Sequence, residues 1–156
     1  MSERYDERLA ALRGTDLSAM HRAGSCPDPQ ALTGVAEGLV LGASGYSSLL
    51  WRGKVFDRES DEAVTGLNRI GVGGLEFRRY RFTVRLGASA FTDRTVALLD
   101  HDNPANPPYI RRFHDELVQI DEHLYLATSH YRLGGRLRFV CHFGLSCQNA
   151  AGRLHE

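Results

Sequence analysis

The sequence predicts an all-β fold with short N-terminal helices, a single antiparallel, up-and-down β-barrel of roughly eight strands. Three observations predict it. Runs of alternating apolar and polar side chains recur from Gly34 onward, the longest being EFRRYRFTVRLGAS at 76–89. Segments rich in glycine, proline and asparagine separate these runs at the spacing of a sandwich or barrel. Finally, residues 124–145 read as a long hairpin turning at Gly134-Gly135. The runs amount to roughly seven to nine strands, and about eight antiparallel strands close into a barrel whose interior holds one small ligand.

With 156 residues, the chain has the length of one domain, read as a helical segment over 1–30 and a barrel over 34–147. Hydrophobic residues at 42% and charged residues at 24% suit a packed core rather than a disordered chain. Basic and acidic residues number 19 each, so no net field draws in nucleic acid or an anionic membrane. Lys54 is the only lysine among the basic residues, a bias read as one of genome composition. Cys26, Cys141 and Cys147 form neither a disulfide framework nor a metal knuckle. The N-terminus has no signal-peptide core, and no apolar run approaches the roughly 18 residues of a membrane span. The expectation is a cytoplasmic protein that associates with neither membrane nor nucleic acid.

Tyr5, Leu9 and Leu12 recur at helical spacing, and Gly14 follows where that helix would end. A second helix is expected over Asp16–Arg22, with Asp16 as N-cap and Leu17 and Met20 on its buried side. Pro27 and Pro29 end helical structure. A strand is expected at 34–43, with either face inward, its small residues allowing close backbone approach. Tyr46 to Trp51 fits a short helix or a connection, and Trp51 to Phe56 a second, bulged or regular, strand. The stretch DRESDEAVTG reads as a polar link, and Gly71, Gly73 and Gly74 as a turn.

In the longest run, Tyr80, Phe82, Val84 and Leu86 share the expected inner face, and Arg79, Arg81, Thr83 and Arg85 a solvated outer one. TVALLD at 95–100 is a further strand, followed by the loop HDNPANPPY. Residues 109–120 fit either a helix or a strand, with a strand favoured from about Asp115 to Ile120. In the hairpin, a two-residue turn sets Leu133 against Arg136, His130 against Phe139, Thr128 against Cys141 and Leu126 against Phe143. Leu126, Thr128, His130, Phe139, Cys141 and Phe143 then form the expected inner face, with His142 outside.

Gly34 to Gly42, WRGKVFD at 51–57, Asp115-Glu116-Leu117 and the closing hairpin together give a chain that resembles the calycin-like small barrels of the lipocalin, fatty-acid-binding and nitrobindin type. The resemblance covers most of the chain from about Gly34, on short motifs, and departs from the lipocalin pattern where Ala36 stands in place of the first-strand tryptophan. It implies a cavity for a hydrophobic or aromatic small molecule. The nitrobindin likeness implies a haem alternative, with His130 or His142 as iron ligand; otherwise no cofactor is expected.

The expected ligand-binding wall comprises Tyr80, Phe82, Val84, Leu126, Thr128, Phe139, Cys141 and Phe143. Asp115 and Glu116 are adjacent, so on a strand they face opposite ways and cannot act as one carboxylate pair. The inward one, with His130 or an arginine, is the candidate for proton transfer, against the alternative of a salt-bridge cluster with Arg111 and Arg112 at the rim. A second function is thus a cofactor-free cyclase or isomerase acting on a polyketide- or terpenoid-like substrate. A third is an interaction protein using its arginine strand. His101, His114 and His123 lack metal-ligand spacing and read as surface loop residues, so no metal is expected. Cys141 reads as an inert interior thiol.

Overall fold

Eight strands form one closed antiparallel sheet in the computed structural model, which describes residues 6–42, 50–58 and 63–147. They are β1 (Gly34–Leu41), β2 (Trp51–Arg58), β3 (Val64–Val72), β4 (Leu75–Ala88), β5 (Thr95–Asp100), β6 (Phe113–Asp121), β7 (Leu124–Leu133) and β8 (Arg136–Ser146). Each strand pairs with the next, and β1 returns to β8 from Glu37↔Ser146 to Leu41↔His142, so the sheet has no free edge. The up-and-down barrel expected from the sequence is the observed one, an architecture compatible with the calycin-like resemblance.

Ahead of the barrel lie α1 (Glu7–Ala11) and α2 (Leu17–Ala23), with Asp6 and Asp16 accepting from the Arg8 and Ala19 backbone N–H groups as N-caps. Tyr5 and the 46–49 segment fall outside the described residues. Helices this short have no stability of their own and form because the barrel receives them. Leu9 and Leu12 pack with Leu41, Val96, Leu98, Val118, Leu124 and Leu126, which form a core on the outer face of the sheet. Fully burying a leucine contributes roughly 1.5–3 kcal/mol, which explains why so short a helix stays docked. Gly144 makes room, since a Cβ there would lie 2.8 Å from Leu9 Cδ2. Asp6 also accepts from Ser146 Oγ at 2.6 Å, tying α1 to β8. The Arg94 guanidinium meets the last carbonyls of α2, at His21, Arg22 and Gly24, and holds its C-terminus on the sheet.

The second core fills the barrel, with Phe56, Phe82, Val84, Leu99, Leu117, Tyr125 and Leu145 among its members. Val96, Ala97, Leu98 and Leu99 are all buried because β5 has the lumen on one face and the helices on the other.

Several expectations need correction. β3 takes in the end of the stretch read as a polar link, from Val64, and Gly71 of the expected glycine turn; the turn itself is Gly73-Gly74. Leu86 is 49% exposed rather than inside. The closing hairpin keeps the expected register from Leu133↔Arg136 to His130↔Phe139, then shifts. Val140 is an extra residue on β8, so Ser129 faces Cys141 and Thr128 faces His142. A single bulge residue reverses the facing of everything beyond it. Cys141 and Phe143 point into the barrel, as expected, while Leu126, Thr128, His130 and Phe139 lie on the outer side.

Candidate functional site

The interior contains a cavity of about 350 Å³ toward one end of the barrel. Its walls are apolar, including Trp51, Ile70, Ile110, Phe113, Val140 and Phe143. Its polar lining is Lys54, Asn68, His101, Asp115 and Ser129, together with the thiol of Cys141. Bulges at Arg52, Tyr80 and Val140 border this end, and each re-aims the strand that carries it. Tyr80 takes φ = +64°, a conformation few non-glycine residues hold, and its carbonyl accepts from Asn68 Nδ2 at 2.9 Å.

Register brings the polar residues together. Lys54 on β2 stands opposite Asn68 on β3, and Asp115 on β6 opposite Ser129 on β7. His101 directly follows β5. Lys54 Nζ donates to Asn68 Oδ1 at 2.7 Å, and Trp51 Nε1 donates to the same oxygen at 3.0 Å. Two donors on one oxygen fix the amide orientation. Asn68 Nδ2 therefore donates to His101 Nε2 at 3.3 Å, which makes Nε2 an acceptor and leaves the ring proton on Nδ1. Nδ1 points at Asp115 Oδ2, 4.0 Å away. Neither His101 Nδ1 nor Asp115 Oδ1 has a hydrogen bond of good geometry.

Burial sets the protonation of this group. Lys54 is 1% exposed, and desolvation, partly offset by Asp115, brings its pKa down to about 8. Desolvation also raises Asp115 above the usual carboxylate range against the opposing pull of Lys54 and Ser129. His101 is held well below its ordinary value, first by desolvation and then by the charge of Lys54, with the backbone of Leu99 acting the other way. Phe82, Phe143 and Trp51 surround the amine, with ring centroids 4.4, 5.5 and 5.9 Å from Nζ. Desolvation pushes the Cys141 thiol up to about 11.

Of the residues expected at the site, Tyr80, Cys141, Phe143 and Asp115 line the cavity. Phe82 supports its floor beneath the amine, and Val84 lies deeper in the lumen core. Glu116 faces the other way, into an outer pocket of about 210 Å³ shared with His21, Phe91, Thr128, His130, Phe139 and His142. Burial opposes the ionisation of Glu116, but hydrogen bonds from His114, Ser89 and Ala90 outweigh it and hold the carboxyl at about 2. Asp115 and His130 are thus separated by the sheet and do not form a pair. Arg111 pairs with Asp102 rather than with Asp115 or Glu116. His101, read as a surface loop residue, is 4% exposed at the cavity.

Lys54, Asn68, His101 and Ser129 are the site residues that sequence reasoning missed. The lone lysine, in an alternating strand among arginines, was the available signal for one of them. Among the described residues no group of His, Cys, Asp or Glu converges as a metal site, and no helix is long and apolar enough to cross a membrane. Haem ligation by a late-strand histidine does not fit the lumen, because the late-strand residues there are Ser129 and Cys141 while His130 and His142 point outward.

Fold and site define a closed eight-stranded barrel whose cavity can hold a small ligand over a buried polar floor. In comparisons with known proteins, the chain matches no family model, no curated protein and no solved structure.

Proposed function

We propose that the barrel lumen binds a small, largely hydrophobic or aromatic molecule carrying one polar group that reaches Lys54, His101 and Asp115. The observation that carries this reading is a pair of buried polar atoms, His101 Nδ1 and Asp115 Oδ1, that have no hydrogen bond of good geometry among the described residues, at an apolar cavity of about 350 Å³. Unsatisfied buried polar atoms are costly, and a ligand group placed between these two would relieve both. Sites of this make-up, with apolar walls and a few convergent polar groups, are typical of small-molecule recognition. The balanced charge of the chain favours such a partner over nucleic acid or membrane.

Native mass spectrometry of freshly expressed protein is the direct test, with a retained small molecule as the expected result. Trp51 is the only tryptophan and forms part of the cavity wall, so its fluorescence reports occupancy. Saturable quenching by small aromatic compounds is expected, weakened in Phe143→Ala and unaffected in Phe91→Ala on the outer face. No retained mass together with no saturable quenching would overturn the reading.

A cofactor-free cyclase or isomerase acting on a polyketide- or terpenoid-like substrate is the second reading. In its favour, an amine, an imidazole and a carboxyl group stand together at the cavity floor with their pKa values moved toward neutrality or below the histidine range. The base and acid would then be Asp115 and His101. Turnover that survives both Asp115→Asn and His101→Gln would sink it.

A further inference from the structure

One basic residue breaks the chain's own pattern. Every basic residue of the sequence is arginine except Lys54, and Lys54 is 1% exposed in the lumen. A guanidinium keeps its charge under all ordinary conditions and is a poor nucleophile. An amine on a four-carbon stem can lose its proton when buried and then attack an electrophile. The position thus holds the one primary amine among the side chains of the sequence.

Its burial makes the neutral amine easier to reach than in water, with a pKa of about 8. Among the described residues Lys54 Nζ has one hydrogen bond, to Asn68 Oδ1, and Asp115 acts on it through space. The amine lies at the cavity surface, so a bound molecule can reach it. Across the same cavity are two groups able to exchange protons with an oxygen near the amine, His101 Nδ1 and the Asp115 carboxyl, both with an atom still unpartnered.

We propose that Lys54 captures the aldehyde or ketone group of a lumen ligand as an imine, a reaction for which Asp115 and His101 stand ready to move the protons. The proposal rests on the reading of the lumen as a small-molecule site and names the ligand class as an apolar or aromatic carbonyl compound. The lone pair of the neutral amine forms a C–N bond to the carbonyl carbon, the C=O π pair moves to oxygen, and that oxygen takes up the first hydrogen that the nitrogen gives up. Asp115 as the carboxylic acid protonates the resulting hydroxyl, the C–O bond breaks, and water departs as the nitrogen lone pair forms C=N. The nitrogen gives up its second hydrogen to the carboxylate, restoring the acid. Both amine hydrogens and the carbonyl oxygen leave as one water, and nothing is oxidised or reduced. The rings of Phe82, Phe143 and Trp51 favour the cationic imine formed on the way.

The test uses cinnamaldehyde as probe and cinnamyl alcohol as its non-carbonyl counterpart. The protein is incubated with the aldehyde, reduced with borohydride, and followed by intact mass and peptide mapping. One reduced adduct is expected on Lys54, absent in Lys54→Met and kept in Phe91→Ala. Because the sequence has no other lysine, mapping the wild-type protein assigns the adduct whether or not the Lys54 variant folds. The rate of adduct formation should rise about tenfold between about pH 7 and pH 9, as the amine loses its proton around 8. If the alcohol quenches Trp51 saturably but no adduct forms on Lys54, imine capture is overturned and the lumen reading stands. If neither compound affects Trp51 and no adduct forms, the lumen reading falls with it. An adduct confined to the N-terminal amine also overturns the proposal.

Discussion

The amine of Lys54 donates to Asn68 Oδ1 at 2.7 Å, inside a barrel where each side chain is almost wholly removed from water. This one acceptor also serves the indole of Trp51, and the same amide donates to Tyr80 O and His101 Nε2. Asn68 thus joins β2, β3, β4 and the residue after β5 from inside the lumen. Asn68→Ala would leave the buried Lys54 amine and the part-buried Trp51 indole without this acceptor, and the cost of a buried orphaned group is about 1–3 kcal/mol. The expected result is a loss of at least about 2 kcal/mol in urea unfolding, with a changed Trp51 emission. A loss below about 0.5 kcal/mol would mean that water or a shifted side chain replaces the amide.

Lys54 should make stability rise at alkaline pH. Its pKa is about 8 in the folded protein and near 10.5 once unfolded, so between these values the unfolded chain holds more protons. Stability therefore increases as pH passes from about 8 to about 10.5, and the full penalty of the buried charge, on the order of 3 kcal/mol, applies below that window. Lys54→Met removes the penalty. Its stability advantage over the wild type should be largest near neutral pH and shrink toward pH 10. The difference between the two proteins is the quantity to measure, because the raised pKa values of Cys141, Cys147 and Tyr125 act oppositely at high pH in both. An advantage independent of pH would refute the assignment.

Acid should weaken the fold in two stages. His21, His130 and His142 share the outer pocket with Glu116 and Arg94, His114 adjoins it, and His101 lies in the lumen. Desolvation is the leading cause that lowers His21, His101, His130 and His142 below 6.5. The unfolded chain takes up these protons first, so stability is lost as pH falls below about 6.5. Glu116 has the opposite charge type: its stabilisation is present above 4.5 and is lost as pH falls toward 2. One titrating group gives at most about 1.4 kcal/mol per pH unit. A progressive loss of stability is expected as pH falls from about 6.5, and Glu116→Gln should flatten only the lower stage. Stability that stays unchanged between about pH 6.5 and pH 5 would show that these four histidines titrate as they do when unfolded.

The three cysteines should react at very different rates. Cys26 is exposed, whereas Cys141 and Cys147 are buried with thiols pushed up to about 11 and 12 by desolvation. The thiolate is the reactive form, so iodoacetamide at neutral pH should label Cys26 alone until the protein unfolds. Mass mapping of labelled peptides checks this, and rapid labelling of Cys141 in the native protein would require an open, hydrated lumen.

Much of the architecture is visible in local patterns because alternation reports which side of a strand is wet. The Gly134-Gly135 turn set four residue pairs correctly, and the adjacency of Asp115 and Glu116 placed them on opposite faces. Bulges are not visible in the same way. Nothing in the run SHYRLGGRLRFVCHF marks Val140 as an extra residue, yet it decides that Ser129 and not Thr128 faces the lumen. Apolar residues on the outer face misled for another reason. Leu124 and Leu126 are buried because α1 and α2 cover that side, and alternation cannot distinguish a lumen from a docked helix.

The sequence by itself therefore determined the antiparallel strand order, two short N-terminal helices with Asp16 capping the second, and the opposite facing of Asp115 and Glu116, since each follows from contacts between near neighbours. Only the tertiary structure decided that Lys54, Asn68, His101, Asp115 and Ser129 meet at one cavity. These residues come from five strands or their ends, and their meeting depends on barrel closure and bulge positions. It also decided the character of Lys54. An amine loses its proton readily only when water is withdrawn from it, and that is a property of the enclosing walls rather than of the residue.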